Sequence, residues 1–186
     1  MTPKTHHPAL HVGDRPITQH GDPFVVAEIG VNHDGVPARA LALVAAAAAA
    51  GADAIKLQVF DPARLVTAAA ATAGYQRDRG QGDSQRAMLE RLVLPTAALR
   101  DAVAAARARH LTVLATPFDE ASADLVAELG VDAVKIGSGD LTHAPLLAHV
   151  ARLGRPLVVS TGMATLEEVV RSVDGIRATA PELPLA

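Results

Sequence analysis

Two segments of the chain carry the same short pattern. Gly51 to Phe60 reads GADAIKLQVF, and Gly130 to Asp140 reads GVDAVKIGSGD. In each, a helix stops at a Gly, an acidic turn follows, and a β-branched run begins with a Lys in the same place, Lys56 in one and Lys135 in the other. A strand with apolar residues on both faces belongs in a parallel sheet. A lone ammonium there is costly to desolvate unless an anion meets it. The repeat therefore points to a parallel α/β sheet and to an anionic ligand. One further strand separates the two copies, which makes both of them even-numbered strands if the sheet closes into a barrel. Alternate strands of a barrel feed side chains into the same interior layer, so the two ammonium groups are expected to converge.

Punctuation along the chain supports this reading. Leu10 to Ile17 holds a Gly13-Asp14 turn between two short runs, a β-hairpin expected to plug one end of a barrel. Phe24 to Gly30 reads as the first buried strand, with Glu28 near its C-terminal end, and it stops in the polar loop VNHDG. Pro37 suits the first turn of an Ala-rich helix that ends at Gly51. The second strand, Ala54 to Phe60, alternates so that Lys56 and Gln58 share one face. A long loop, Asp61 to Asp83, contains Tyr75 and Gln76; loops of this length usually carry function or disorder. Ser84 to Leu92 reads as a short helix, and Thr96 is expected to cap the next one. Leu111 to Phe118, Ala133 to Ser138 and Pro156 to Gly162 are the remaining strands, alternating with helices over Ala121 to Leu129 and Pro145 to Leu153. Thr165 and Glu168 form a capping-box pattern at the last helix. The closing residues, ELPLA, look like the start of a sixth strand.

Strict strand-helix alternation gives a parallel α/β architecture with right-handed crossovers. Length favours a five-stranded doubly wound sheet, because an eight-stranded barrel takes about 250 residues. Chemistry favours an incomplete (β/α)8 barrel of about five units. Polar groups stand at or near the C-terminal ends of all five strands: Glu28, Lys56 with Gln58, Thr116, Lys135 with Ser138, and Ser160 with Thr161. A barrel gathers those ends on one face, whereas an open sheet gathers ligands only at its switch point. Residues 1–20 are expected to form a tail and hairpin, and residues 21–186 the barrel part. A net charge of −3 without a basic run gives no electrostatic footprint for nucleic acid or an anionic membrane. The chain has no Cys, which excludes a disulfide scaffold and a thiolate site. No segment supplies 18 uninterrupted apolar residues, and the N-terminus has no apolar export core, so a cytoplasmic location is expected.

The blocks AEIGVNHDG, KLQVF, SQRAMLERL, ATPFDEASADLVAELGVDAVKIGSGDL and STGMATLEEV, in this order, resemble the N-acetylneuraminate (sialic acid) synthase family, which includes legionaminic acid and spore-coat polysaccharide synthases. The resemblance runs from about Leu10 to near the end of the chain. It implies a TIM-barrel transferase that condenses phosphoenolpyruvate with an N-acetylated amino-sugar aldehyde, such as N-acetylmannosamine, with carbon–oxygen cleavage releasing phosphate. It also implies a divalent metal, commonly manganese or magnesium, and a homodimer. The family's metal-binding histidines lie on later strands and its antifreeze-like domain follows the barrel; neither is matched here. Carried over by position, the resemblance makes Lys135 and Ser138 ligands to the phosphate of phosphoenolpyruvate and makes Lys56, Thr116 and Ser160 ligands to its carboxylate. It gives Gln58 a sugar contact and Glu28 a proton-transfer role during water addition. Asp140 stands where the family more often has Glu for the sugar.

Other readings compete with these. A strand-interior Lys can be salt-bridged, and Glu28 suits the part of its partner. His33, in an Asn-His-Asp-Gly turn, is expected to be a loop or packing residue and not a metal ligand. The fragment alone is expected to be inactive. An inactive truncated paralogue, a binding module, and a Schiff-base lysine aldolase are the alternatives of other classes.

Overall fold

The computed structural model of the chain describes residues 10–18, 20–67 and 84–186. A two-stranded antiparallel hairpin comes first, β1 (Leu10–Val12) and β2 (Arg15–Ile17). Five parallel strands follow: β3 (Val26–Glu28), β4 (Ala54–Val59), β5 (Thr112–Pro117), β6 (Ala133–Ile136) and β7 (Leu157–Val159). Helix α1 (Pro37–Ala49) joins β3 to β4; α2 (Pro62–Leu65), α3 (Gln85–Leu92) and α4 (Thr96–Arg107) lie between β4 and β5. The rest are α5 (Glu120–Glu128), α6 (Ala144–Arg152) and, after β7, α7 (Leu166–Thr179).

Strand order decides between the two expected architectures. The strands lie side by side in the order in which the chain makes them, β3-β4-β5-β6-β7. A doubly wound sheet reverses its order at a switch point. This sheet never reverses, so right-handed crossovers place every connecting helix on one side of it. That is the winding of a β/α barrel, present here as five consecutive units, and the doubly wound alternative is excluded. Leu185 bridges Leu157 in parallel, and the Val159 N–H donates to the Ala186 carbonyl at 2.8 Å, so the expected sixth strand does begin beside β7.

The sheet's two faces are covered differently. Ile55, Leu57, Val113, Val134, Ile136 and Leu157 pack beneath the helices against Val44, Ala102, Val126 and Leu146. On the other face, at the N-terminal ends of the strands, Val12 of the hairpin is buried with Ala54, Leu114 and Ala133, flanked by Leu10, Ile17 and Phe24. Each Val, Leu or Ile so buried contributes about 1.5–3 kcal/mol. The hairpin is thus the plug the sequence suggested, and the barrel mouth is left at the C-terminal ends.

The acidic residue shared by the two repeat copies has a structural job. Asp53, just before β4, accepts from the Val25 N–H at 2.7 Å, and Asp132, just before β6, accepts from the Val113 N–H at 2.8 Å. Each carboxylate satisfies a backbone donor of the preceding strand, and Asp53 also pairs with Arg15 of the plug.

Several local expectations change. Thr96 is the first helical residue of α4 and not its cap; the cap position is Pro95, which makes no side-chain bond to the helix. The stretch after β4 contains α2, opened by Asp61 accepting from the Ala63 N–H at 2.9 Å. Residues 68–83, with Tyr75 and Gln76, lie outside the described residues. The first barrel strand is shorter than Phe24 to Gly30, and it is not buried on both faces. Among the described residues it pairs only with β4, and its Val26 is 36% exposed. The capping box at α7 forms in full, with Glu168 accepting from the Thr165 N–H at 2.7 Å and Thr165 accepting from the Glu168 N–H at 3.3 Å.

Candidate anion-binding site

Register determines which side chains share the concave face. Glu28 lies opposite Lys56, Lys56 opposite Leu114, Leu114 opposite Ala133, and Lys135 opposite Val158. In an eight-stranded barrel of shear 8, a level climbs about one residue for each strand crossed. Two strands on from Lys56 the paired residue is Ala133, so the residue at the same height is Lys135. The same step links Glu28 on β3 with Thr116 on β5 and with Ser160 just past β7. One layer therefore holds two ammonium groups, and the layer above it holds a carboxylate and two hydroxyls. Gln58, next outward from Lys56 on the same face, stands above both. Ser138 and Asp140 belong to the turn after β6, where the Asp140 N–H donates to the Gly137 carbonyl at 3.1 Å.

The two lysines are held differently. Lys56 forms an ion pair with Glu28 Oε2, and Glu28 Oε1 accepts from the Gly30 N–H at 2.8 Å. Lys135 has no such carboxylate among the described residues and donates to the carbonyl of Ile136 on its own strand at 2.8 Å. Its pKa is lowered, first by burial and then by the Lys56 charge, with Glu28 and Asp140 opposing. That coupling to Lys56 is what convergence of the two groups requires. Asp140 is pushed the other way for a carboxylate: burial raises its pKa, while His143 and Lys135 oppose.

Thr116 completes the pattern. It is 4% exposed, and its Oγ1 is a buried polar atom without a hydrogen-bond partner among the described residues. A hydroxyl so placed costs about 1–3 kcal/mol of desolvation in the free protein.

Two further residues shape the site and were not singled out in the sequence. A Cβ on Gly30 would sit 2.6 Å from Gln58 Cγ and 2.7 Å from Glu28 Oε1, so only glycine lets this turn lie against the two side chains. Asn32 Nδ2 donates to the Glu28 carbonyl at 3.1 Å. The available signal was a Gly directly after a strand, followed by a polar loop. His33 is buried at 2% exposure, its Nδ1 accepts from the Gly35 N–H at 3.0 Å, and burial lowers its pKa against the Asp34 charge. It holds the loop, as a packing residue does. Among the described residues no three His, Asp or Glu side chains gather. These residues do not fit a metal by themselves, and no step below passes through one. A groove of about 460 Å³ between α6 and α7, with Leu147, Arg171 and Gly175 among its walls, touches none of the eight candidate side chains.

A model of the NeuB family matches residues 43–184. The chain belongs to the NeuB family. It is 36% identical over 152 residues to the N,N'-diacetyllegionaminic acid synthase of Campylobacter jejuni, an alignment covering 81% of this chain and 46% of that protein. It is 38% identical over 155 residues to the enzyme of the same name from Legionella pneumophila, covering 83% and 44%. The crystal structure of the spore coat polysaccharide biosynthesis protein SpsE from Bacillus subtilis superposes with a TM-score of 0.76 at 31% identity, over 96% of this chain and 47% of that one. The chain thus spans less than half the length of these NeuB-family relatives. Strands β4 to β7, with every candidate site residue except Glu28, fall inside the matched segment. Among the described residues no helix is long and apolar enough to cross a membrane.

Proposed function

We propose that this chain carries the phosphoenolpyruvate-binding half of a nonulosonic acid synthase. In this reading the full protein condenses phosphoenolpyruvate with an N-acetylated amino-sugar aldehyde and releases inorganic phosphate. The observation that carries it is the pair of cations level on alternate strands beneath an unpartnered buried hydroxyl. Phosphoenolpyruvate has two anionic ends on a rigid three-carbon frame, and two fixed positive centres with hydroxyl donors match that demand. Lys135 and Ser138 take the phosphate; Lys56, Thr116 and Ser160 take the carboxylate. Gln58 and Asp140, toward the mouth, face the sugar aldehyde.

In the reaction, C3 of phosphoenolpyruvate forms the new carbon–carbon bond at the aldehyde carbon, whose oxygen gains a proton. Water adds at C2, and the C2–O bond to phosphate then breaks. In this reading Glu28, at the same level as Thr116 and Ser160, takes the proton from that water. The names of the legionaminic acid synthase relatives support an amino-sugar partner and leave open which one this chain accepts. The proposal includes a divalent metal, manganese or magnesium, held by ligands other than the residues named here, and a homodimeric assembly.

Calorimetric titration with phosphoenolpyruvate of the protein in a full-length context, with the remaining strands present, tests the reading. Lys56→Met and Lys135→Met are each expected to abolish binding; unchanged affinity in both would sink the two-centre site. The lowered pKa of Lys135 favours one second reading, a Schiff-base aldolase, because a neutral amine is the nucleophile such chemistry needs. Borohydride trapping with pyruvate separates the two, and covalent labelling at Lys135 would select the aldolase.

A further inference from the structure

Both lysines lie in one layer, yet among the described residues only Lys56 has a carboxylate partner. Lys56 is paired with Glu28, whereas Lys135 donates to a backbone carbonyl. The pair is also asymmetric in exposure: the Glu28 side chain is 39% exposed at the rim, and Lys56 beneath it is 18% exposed. Glu28 is tethered on its other oxygen to the Gly30 N–H at 2.8 Å, so its carboxylate can leave Lys56 without losing every partner. Anything anionic that reaches Lys56 must therefore replace a carboxylate already there. Anything anionic that reaches Lys135 replaces none.

We propose that Glu28 is a built-in stand-in for the ligand's carboxylate, occupying Lys56 before a ligand arrives and being displaced from it when a ligand with two anionic ends bridges Lys135 and Lys56. This rests on the phosphoenolpyruvate reading and deepens it. Binding is then a two-stage event. The phosphate settles first on Lys135, and the carboxylate exchanges places with Glu28 on Lys56. The exchange has a chemical consequence. Once the exchange has taken place, the Glu28 oxygen that held Lys56 is free to accept a proton from water, so part of the binding interaction is used to arm it. The charged groups facing it are Lys56 on β4, Lys135 on β6 and, through Lys135, Asp140 in the following turn.

The distinguishing experiment compares two ligands on two proteins, wild type and Glu28→Gln, each in a full-length context with the remaining strands present. Inorganic phosphate has no second anionic end, so its affinity is expected to be equal in wild type and Glu28→Gln. Phosphoenolpyruvate is expected to bind Glu28→Gln about two- to fivefold tighter than wild type, the scale of a partly exposed ion pair removed as a competitor, while turnover falls. A residue that merely supports the fold would weaken both ligands or neither. Equal phosphoenolpyruvate affinity in the two proteins, with phosphate still bound, would overturn the exchange and leave the anion site standing. Tightening of both ligands alike would also overturn it, because the effect would then be long-range charge and not exchange at Lys56. Failure of wild type to bind either ligand would remove the phosphoenolpyruvate reading and this inference together. Circular dichroism of Glu28→Gln, expected to match wild type, guards against misfolding, and Glu28→Ala supplies a second variant with the same expected order of affinities.

Discussion

Thr116 makes an uncommon trade. Its hydroxyl is buried with nothing to bond, a state that proteins tolerate where a ligand completes the set. Replacing it with the similarly shaped Val is expected to stabilise the free chain by about 1 kcal/mol, as the desolvation cost disappears. The same change is expected to weaken phosphoenolpyruvate binding by about tenfold, one hydrogen bond to a charged group. Denaturant melts and titration of one protein measure both; a Thr116→Val chain that is less stable would mean the hydroxyl already has a partner. Asp140 makes a similar trade through charge. Burial raises its carboxyl pKa above the unfolded value, so the folded chain holds more protons than the unfolded one between those two values. Stability is accordingly lost as pH rises from the unfolded value of about 3.9 through the raised folded one. Asp140→Asn is expected to flatten that decline and to melt above wild type at pH 7. Thermal melts from pH 4 to 7 check it, and parallel curves for the two proteins would contradict it.

The loop after β3 is where one element locks onto another. Gly35 has φ of +71° and lies so close to the end of α3 that a Cβ there would be 2.1 Å from the Arg91 carbonyl oxygen. The loop carries Gly30 and Asn32, which orient Glu28, so α3 indirectly braces the carboxylate. Gly35→Ala combines a strained φ with a backbone clash, and a loss of about 2–4 kcal/mol is expected in chemical denaturation. Turnover should fall further than the unfolded fraction explains, since the loop must shift to admit the methyl group. A change below about 0.5 kcal/mol would show that α3 moves aside freely.

The apolar surface of the molecule is uneven. Val25 at the β3 edge is 53% exposed, and Leu166 and Val170, one turn apart on α7, are 80% and 51% exposed. An open strand edge and an apolar helix stripe are surfaces that further β/α units cover in a closed barrel. A polypeptide of residues 1–186 alone is therefore expected to elute as an associated species. It should release no phosphate from phosphoenolpyruvate and N-acetylmannosamine, with or without manganese. Co-expression with a segment supplying the remaining strands is expected to restore phosphoenolpyruvate binding. Robust metal-dependent phosphate release by residues 1–186 alone would show that this piece builds a complete site.

Periodicity and punctuation in the chain were enough to reveal five β/α units, a plugging hairpin, the two buried lysines and the start of a sixth strand. These depend on local preferences and on the desolvation cost of an ammonium, which act wherever the chain goes. Barrel winding could not be chosen that way, because both architectures use the same alternation; only the unreversed strand order distinguished them. Thr96 looked like a cap because a threonine before a helix usually is one, but Pro95 took the cap position. The pairing of Glu28 with Lys56, the missing carboxylate at Lys135 and the orphaned Thr116 hydroxyl are likewise properties of register. Which cation meets which anion depends on strands 19 or more residues apart in sequence lying side by side at a particular offset, and no local pattern encodes that offset.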